Sequence, residues 1–374
     1  MVSDRTANLL TNEEERRAGK LVLESMPVFL FVELTQNCNL SCAMCRSAGK
    51  YDRALNMSEQ VFEQLTAEVF PYASIIDLRG WGESTVLREF PTRVRKAAES
   101  GARLRLVTNG HGMTDSLWEL FLSNDDVVVV SVDAATPELA EKLGRGSLER
   151  VIRRVRTGVV IRDRLGRGRI HFNTVVSSYN LGELPEIVDL AASLGVTKVV
   201  AFPIISRLTT PSHLSHILPE VPSAIERAAD RARRSGVLLQ FGASLDETLA
   251  VDYGLPSRCS HPWTHAYVDY LGRIGFCDHL IARPEFTFGS ILDRTFREVW
   301  NGDAFQRLRA THLDAGATRR VDSEFWPCNW CYTNRYCDFE DEATEGASER
   351  LVNTAGERPL YSIRSDQVAR RSFI

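Results

Sequence analysis

The chain has 374 residues, its hydrophobic content is 44%, its charged content is 25%, and its formal net charge is −4. This composition is ordinary for a soluble globular protein, and the length predicts a main domain with a smaller second one. The charge argues against general binding to nucleic acid or acidic membranes. No apolar run is long enough to span a bilayer, and the polar N-terminus does not resemble a signal peptide. We therefore expect a cytoplasmic protein whose partners include neither nucleic acid nor membrane.

Strand-like and helical patterns alternate along the first part of the chain. The capping-box sequence Thr11–Glu14 predicts a leading helix over residues 11–24. Strand-like runs follow at Val28–Leu34, Ile75–Leu78, Leu104–Thr108, Val127–Val132, Ile170–Val176 and Lys198–Ala201. Helical patterns lie between them at Ser58–Phe70, Phe90–Ser100, Asp115–Leu122, Leu148–Ile161 and Leu184–Leu194. This alternation predicts an α/β fold with right-handed crossovers, built as a partial (β/α)6 barrel.

The character of the sequence changes twice beyond these units. Residues 203–219 are polar and poorly periodic, so we predict a lid or substrate wall over the barrel. From about residue 254 short aromatic segments with Gly and Cys follow, and Tyr267–Cys277 is typical of a hairpin with Gly272 in its turn. The predicted division is an N-terminal helical lead (1–27), a barrel (28–245), a small cluster-binding domain (246–345) and a C-terminal tail (346–374).

All eight cysteines fall in two groups, one near residue 40 and one between residues 259 and 337. Their clustering, without an export signal, favours thiolate ligation in a reducing compartment over disulfides. The first group, Cys38, Cys42 and Cys45, has the spacing C-x3-C-x2-C and follows a predicted strand. Three thiolates at this spacing can hold three irons of a four-iron cluster and leave the fourth iron open to a small molecule. The alternative is a structural zinc site with a fourth ligand from a distant residue.

Polar residues recur where the predicted strands end, at the edge where parallel α/β folds bind ligands. The second strand is followed by Gly80-Trp81-Gly82-Glu83, where the two glycines permit a close approach to a ligand. The carboxylate of Glu83 can accept a hydrogen bond from an ammonium group. Other polar candidates at this edge are Ser131, Asp133 and Asn173. For these three residues, helix capping or strand-end solvation is the alternative interpretation.

The cysteine triad, the GWGE segment and the six βα repeats together resemble the radical S-adenosylmethionine (SAM) superfamily over roughly residues 28–240. The resemblance implies a [4Fe–4S] cluster held by Cys38, Cys42 and Cys45, whose open iron is chelated by the methionine part of SAM. It implies a 5′-deoxyadenosyl radical that abstracts hydrogen from the substrate. A flavodoxin- or ferredoxin-type protein is the implied reductant.

The same resemblance implies roles for the residues around the cluster. The segment Gly80, Trp81, Gly82 and Glu83 receives the amino group of SAM. The remaining implied contacts are Met44 at the adenine, Ser131, Asp133 and Asn173 at the ribose, and Arg145 at the methionine carboxylate.

The second cysteine group consists of Cys259, Cys277, Cys328, Cys331 and Cys337. Paired CxxC elements also form zinc ribbons, so a tetrahedral zinc site is the alternative. After a radical domain, this pattern resembles the SPASM and twitch extensions, which bind auxiliary iron–sulfur clusters. The SPASM signature would continue to a further cysteine where this chain has Asp341. The departure implies one auxiliary [4Fe–4S] cluster on Cys259, Cys277, Cys328 and Cys331, and therefore two clusters in all.

Two further residues are candidates for a catalytic role. Cys337 remains outside the preferred ligand set, and it is an inert buried thiol, an alternative ligand or a hydrogen donor to a substrate radical. Asp269, beside the predicted hairpin, is a candidate base, with a structural role as the alternative. Similar candidates around the hairpin are His261, His265, Asp278 and His279.

The resemblance extends to aminocyclitol and aminoglycoside radical dehydrogenases. It implies oxidation of a carbinol carbon in a small polar substrate to a ketone, with the auxiliary cluster as electron acceptor, in antibiotic biosynthesis. Alternatives are an aminoglycoside epimerase, a radical SAM maturase of a ribosomal peptide, and a zinc-stabilised interaction protein without enzymatic activity. The incomplete SPASM pattern and the short segment before the first strand favour a small substrate over a peptide.

Overall fold

A sheet of parallel strands forms the centre of the computed structural model, which describes residues 4–45, 51–204, 211–241, 259–277, 280, 283–313, 324–325 and 328. The parallel strands are β1 (Phe29–Val32), β2 (Ile75–Asp77), β3 (Arg103–Thr108), β4 (Val127–Ser131), β5 (Arg169–Val176), β6 (Lys198–Pro203) and β7 (Leu238–Phe241). They lie side by side in chain order. The expected α/β architecture with a parallel core is therefore confirmed.

Helices connect these strands and cover one face of the sheet. Those of the first part are α1 (Asp4–Arg17), α2 (Glu59–Glu68), α3 (Phe90–Glu99), α4 (Asp115–Ser123), α5 (Pro137–Lys142), α6 (Leu148–Leu165), α7 (Leu184–Ser193) and α8 (Val221–Ser235). Those of the second part are α9 (His261–Thr264), α10 (Phe296–Trp300) and α11 (Asp303–Leu313). Among the described helices, none combines the length and apolar character needed to cross a membrane.

Strand β1 is buried on both faces. Leu30 and Val32 belong to the large core beneath the helices. Phe29 and Phe31 point to the opposite face, where they pack with Tyr267. A parallel strand covered on both sides is expected to be apolar throughout, as the sequence Phe-Leu-Phe-Val is. This burial fixes the strand from which the first cysteine group emerges.

The sheet continues into the second part of the chain through β8 (His265–Val268), β9 (Arg273–Gly275) and β10 (Thr287–Ser290). Strand β8 pairs in parallel with β1, so that Phe29 lies opposite His265. Strands β8 and β9 form the predicted hairpin, and Gly272 in its turn has a φ of 82°. The predicted barrel and cluster-binding domain therefore share one sheet, although the domain limits themselves stay a prediction.

The N-terminal segment is attached to the second part of the chain by hydrogen bonds to backbone carbonyls. Asn12 Nδ2 donates to the carbonyl of Trp263 at 2.8 Å, and Arg309 Nη1 donates to that of Leu21 at 2.7 Å. The indole of Trp300 donates to the carbonyl of Ser25 at 3.0 Å. Residues near both ends of the described chain thus pack on each other.

Two expectations about secondary structure were wrong. The leading helix begins at Asp4, not at residue 11, because Arg5 and Asn8 bind the carbonyls of Ala73 and Met26 and so anchor an earlier turn. The predicted helix end at residue 24 is also too late, since α1 ends at Arg17. Helix α8 and strand β7 form a seventh unit that the pattern analysis did not identify. Four of the six buried residues of α8 are alanines, and together with Val221 and Ile225 they form a pronounced apolar face that the pattern analysis overlooked.

The predicted lid over residues 203–219 lies partly outside the described residues. Its described part is attached to the end of β5, because the backbone and hydroxyl of Ser178 donate to the carbonyls of Ser212 and Pro211. Residues Leu214–Glu220 form a short 3-10 segment. The role of this segment as a lid stays a prediction.

Candidate cofactor-binding site

The first three cysteines lie on the loop that follows β1. Cys42 is buried, Cys38 is half-buried and Cys45 is exposed. Asn37 fixes the start of this loop, since its side chain donates to the carbonyl of Asp52 and to Asn56 Oδ1, both at 2.7 Å. Hydrogen bonds to side-chain and backbone partners therefore hold the loop in place at the carboxyl end of β1.

The segment before α6 packs against the cysteine loop. The amide of Ala43 donates to the carbonyl of Leu143 at 3.0 Å. Gly144 has a φ of +69°, and a Cβ there would lie 2.4 Å from the carbonyl oxygen of Ser41. Only glycine meets both the conformation and the close approach.

The GWGE segment packs against the other side of the cysteine loop. A Cβ on Gly82 would lie 2.4 Å from the carbonyl oxygen of Thr35 and 2.5 Å from that of Asn37. The amide of Glu83 donates to the Asn37 carbonyl at 2.8 Å. The two segments that sequence analysis identified are therefore in direct backbone contact.

The carboxylate of Glu83 accepts hydrogen bonds from neighbouring residues of the protein. One oxygen accepts from the hydroxyls of Thr85 at 2.6 Å and Thr108 at 2.7 Å, and the other accepts from the amide of Asn109 at 2.7 Å. These bonds tie the GWGE segment to the end of β3. The predicted role of Glu83 toward an amino group stays a prediction, and its observed contacts are structural.

Arg145 forms the centre of a buried polar cluster. Its guanidinium pairs with Asp133 at 2.9 Å, donates to Cys42 Sγ at 3.3 Å and donates to the carbonyl of Ser131 at 2.6 Å. Burial lowers the pKa of Arg145, but the charges of Asp133 and Cys42 outweigh that effect and raise it above its usual range. Burial raises the pKa of the Cys42 thiol, and the guanidinium opposes that shift. A positive charge therefore lies directly beside one predicted cluster ligand.

A cavity lies beside this cluster and gathers several predicted residues. It is lined by Asn109, Ser131, Val132, Asp133, Ala134, Ala140, Arg145, Leu148 and Val151. Asn173 lies opposite Ser131 in the sheet. Its buried Oδ1 accepts no hydrogen bond from any described residue. A buried acceptor without a donor is costly, and a ligand hydroxyl would satisfy it.

The contacts of the other predicted residues differ from one another. Met44 is partly buried against the core. Asp133 Oδ1 accepts from the amide of Val175, so this carboxylate also joins two strand ends. Among the described residues, no group of three or more His, Cys, Asp or Glu side chains is arranged to hold one metal ion. The ligand roles of the cysteines stay a prediction from their spacing and position.

Two described cysteines of the second group flank one aromatic cluster. Cys277 follows Phe276, and the amide of Cys328 donates to the carbonyl of Phe325 at 2.9 Å. The rings of Phe276 and Phe325 meet edge to face at 6.1 Å. Cys259 lies before α9, and the predicted residues Cys331, Cys337, Asp278 and His279 lie outside the described residues.

Asp269 is placed in the turn of the β8–β9 hairpin. Its Oδ1 accepts from the amides of Leu271 at 3.0 Å and Arg273 at 2.9 Å, and its Oδ2 pairs with Arg273 Nε at 2.5 Å. The side chain is fully buried. These contacts favour the structural alternative over the predicted role as a base.

Sequence analysis placed Asn109 at the polar edge of the sheet without giving it a specific role, and it missed Glu33. Asn109 donates to Asn39 Oδ1 at 2.8 Å and lies 3.9 Å from Cys38 Sγ. Glu33 is fully buried directly after β1 and accepts from the amide of Trp81 at 2.9 Å. An acidic residue that ends an apolar strand was the available signal for Glu33.

Two family models match the chain. The Radical SAM superfamily model matches residues 32–191, and the SPASM model, an iron–sulfur cluster-binding domain, matches residues 259–338. The chain contains a radical SAM domain followed by a SPASM domain. A radical SAM domain binds SAM and a [4Fe–4S] cluster, and a SPASM domain binds auxiliary iron–sulfur clusters. The predicted cofactor types are therefore confirmed, and the three thiols, the buried Arg145 and the unsatisfied Asn173 oxygen fit them.

Curated relatives with known activities match the chain in part or over most of its length. A tungsten-containing aldehyde ferredoxin oxidoreductase cofactor-modifying protein of Pyrococcus furiosus is 30% identical over 203 residues, so this chain spans about half of that relative (53%). The PqqA peptide cyclase of Methylorubrum extorquens is 25% identical over 303 residues, 76% of this chain and 75% of the relative. The mycofactocin maturase MftC of Mycobacterium ulcerans is 26% identical over 299 residues, 76% and 77% of the two chains.

A solved structure shares the fold. Streptococcus suis SuiB bound to S-adenosylmethionine has a TM-score of 0.60 and 16% sequence identity, and the match covers 78% of this chain and 69% of that chain. At this identity the likeness concerns the fold alone. The relatives described above are a cofactor-modifying protein, a peptide cyclase and a maturase, and none of them is an aminocyclitol dehydrogenase.

Proposed function

We propose that this chain is a radical SAM maturase that modifies a peptide substrate. The observation that carries the proposal is the match to the PqqA peptide cyclase, which extends over 303 residues and 76% of this chain. The match to the mycofactocin maturase has a similar extent. The predicted preference for a small aminocyclitol depended on the incomplete cysteine pattern and on the short leading segment, and these relatives favour the peptide alternative.

The proposed cofactor site uses the residues described above. Cys38, Cys42 and Cys45 hold the first cluster, and SAM binds between the GWGE segment and the cavity beside Arg145. When bound, these groups supply a 5′-deoxyadenosyl radical, which takes hydrogen from a substrate carbon. The chain's own residues position the cofactor through the backbone at residues 80–83, and Asn173 offers an acceptor to a hydroxyl.

The second site is proposed to hold one auxiliary cluster. Cys259, Cys277, Cys328 and Cys331 are its proposed ligands. Because β8 pairs with β1, the hairpin before Cys277 is attached to the strand that leads to the first cluster. The proposed role of the second site is to accept an electron from the substrate during a net two-electron oxidation.

The test of the proposed function is a reconstitution with candidate precursor peptides. Protein purified without oxygen, supplied with SAM and dithionite, is expected to release 5′-deoxyadenosine in amounts that increase with the correct peptide. Mass spectrometry is expected to show the peptide lighter by two hydrogens, and deuterium at the attacked carbon is expected in 5′-deoxyadenosine. Cys42→Ala is the negative control, since it removes one cluster ligand.

Two outcomes would contradict the proposed function. A ketone formed from an aminocyclitol, with no turnover of peptides, would establish the small-substrate alternative. Solvent deuterium entering an amino-sugar carbon, and lost in Cys337→Ala, would establish the epimerase alternative with Cys337 as the hydrogen donor.

A further inference from the structure

The carboxyl group of Glu33 lies at the junction between the GWGE segment and the hairpin of the SPASM domain. We propose that Glu33 is a positioning residue, which holds the GWGE segment against this hairpin and thereby sets the affinity for SAM. This inference rests on the cofactor role proposed for residues 80–83, and it is independent of the nature of the substrate.

Glu33 contacts the GWGE segment directly. Its Oε1 accepts from the amide of Trp81 at 2.9 Å. A Cβ on Gly80 would lie 2.2 Å from Glu33 Cγ and 2.7 Å from Oε1. The glycine at position 80 therefore makes room for the Glu33 side chain, and the carboxylate in turn fixes the next amide along the segment.

Glu33 also contacts the hairpin of the SPASM domain. Its amide donates to the carbonyl of Val268 at 2.9 Å, which continues the β1–β8 pairing by one residue. The amide of Tyr270 donates to its carboxylate. The side chain of Gln36 gives a third hydrogen bond, to Oε2 at 3.3 Å. One buried carboxylate thus accepts hydrogen bonds from the SAM segment, from the cysteine loop and from the hairpin.

The burial of Glu33 allows its carboxyl group to change protonation near neutral pH. Burial raises the pKa of Glu33 to about 7, and the nearby carboxylate of Asp269 adds to that rise, while the three hydrogen bonds oppose it. Arg273 on the hairpin pairs with Asp269, and Arg79 before the segment pairs with Asp77. Protonation turns one carboxylate oxygen into a donor, so the ionised form is the one that can accept from all three partners.

The experiment measures the dissociation constant of SAM for the cluster-loaded protein between pH 6 and pH 8.5. If only the ionised form of Glu33 holds the segment correctly, the apparent affinity follows the ionised fraction and rises about five- to tenfold over this range. Glu33→Gln keeps the shape but cannot accept from all three donors. We expect this variant to bind SAM about tenfold more weakly at pH 8, with a flatter pH profile than the wild type.

The matched control is Glu68→Gln. The carboxylate of Glu68 also accepts a backbone amide from the second part of the chain, that of Phe296 at 2.7 Å, but it makes no described contact with the GWGE segment. This variant is expected to keep the affinity and the pH profile of the wild type. A comparison between variants at each pH also removes any titration of SAM itself.

Wild-type affinity and an unchanged pH profile in Glu33→Gln would overturn the inference, as would cluster-loaded wild-type protein that does not bind SAM. If Glu33→Gln does not load its cluster, the variant Gly80→Ala is used instead. The Cβ of an alanine at position 80 must displace the Glu33 side chain. We expect this variant to show the same loss of affinity, and wild-type affinity in it would overturn the inference. Normal binding of SAM without any peptide product would contradict only the proposed function.

Discussion

Arg145 and Asp133 form an ion pair whose two members are both largely buried. Arg145→Met leaves the carboxylate of Asp133 without its positive partner, and the loss of one member of a buried pair costs about 3–5 kcal/mol. We expect the free energy of unfolding to fall by about 3 kcal/mol in this variant and to recover in part in the double variant with Asp133→Asn. Urea denaturation under anaerobic conditions measures these differences. Additive effects of the two substitutions would show that the pair is not coupled.

Asp126 gives a prediction about pH. Its carboxyl is fully buried, Oδ1 accepts from the amide of Leu104 at 2.8 Å, and Oδ2 has no partner among the described residues. Burial raises the pKa of Asp126 to about 8. The pKa of Asp126 is higher in the folded state than in the unfolded state. The protonated carboxyl therefore contributes fully to the free energy of unfolding below about pH 4, and this contribution is lost as the pH rises to about 8.

The variant Asp126→Asn removes this titration. We expect the wild type to lose stability between pH 5.5 and pH 8.5 by more than the variant does, because the amide carries no charge at any of these values. Denaturant unfolding at several pH values measures this. The control is Asp125→Asn. The side chain of Asp125 is exposed, and its backbone has a φ of 59°, a conformation that asparagine adopts readily. Parallel curves for the wild type and Asp126→Asn would contradict the prediction.

At the scale of elements, the GWGE segment and the cysteine loop act as one unit because Gly82 allows their backbones to touch. Gly82→Ala places a Cβ 2.4 Å from a carbonyl oxygen, so the segment must move. We expect the variant to fold but to bind SAM at least about tenfold more weakly, since backbone groups of this segment are the proposed contacts. Equilibrium binding to the cluster-loaded protein measures the loss.

The control for this prediction is Gly182→Ala. Gly182 has no heavy atom within 4 Å of the position of an added Cβ. This variant is expected to bind SAM as the wild type does. If Gly82→Ala also binds normally, the close approach of the two segments is not required for cofactor binding.

The elements that sequence analysis predicted well are those in which local and tertiary preferences agree. Strand β4 is an apolar β-branched run, and its predicted range, Val127–Val132, differs from the observed one by a single residue. The predicted range of α1 was wrong because the helix start depends on hydrogen bonds from Arg5 and Asn8 to carbonyls that are distant in sequence. The cysteine spacing identified the cofactor types, but the contacts of Glu33 with Trp81 and Tyr270 depend on the fold and cannot be read from the sequence.

At the scale of the whole molecule, one sheet runs through both matched domains. Truncation after residue 245 removes β8–β10 and uncovers the hydrogen-bonding edge of β1. It also removes Tyr267 from the apolar cluster that contains Phe29 and Phe31. An unpaired apolar strand edge promotes aggregation, so we expect the truncated protein to be insoluble. Soluble, monomeric material with a loaded first cluster would show instead that the predicted boundary at 245 separates independent domains.

The iron content tests the proposed number of clusters. Two [4Fe–4S] clusters require about eight irons per chain in reconstituted protein. Cys277→Ala is expected to lower this number toward four, while SAM binding to the first site is retained. Parallel iron, zinc and sulfide analysis measures this. Stoichiometric zinc that persists in Cys42→Ala and disappears in Cys277→Ala would favour the zinc alternative for the second site.

The pairing of β1 with both β2 and β8 has a consequence for biosynthesis. During translation, Phe29 can meet its first partner, Ile75, early, but its second partner, His265, emerges only when most of the chain has been made. Until then one edge of the strand leading to the cysteines remains open, and long-range pairing of this kind is slow. Delivery of iron and sulfide to the first cysteine group is therefore expected to follow the emergence of β8 from the ribosome, when the strand can gain its second neighbour.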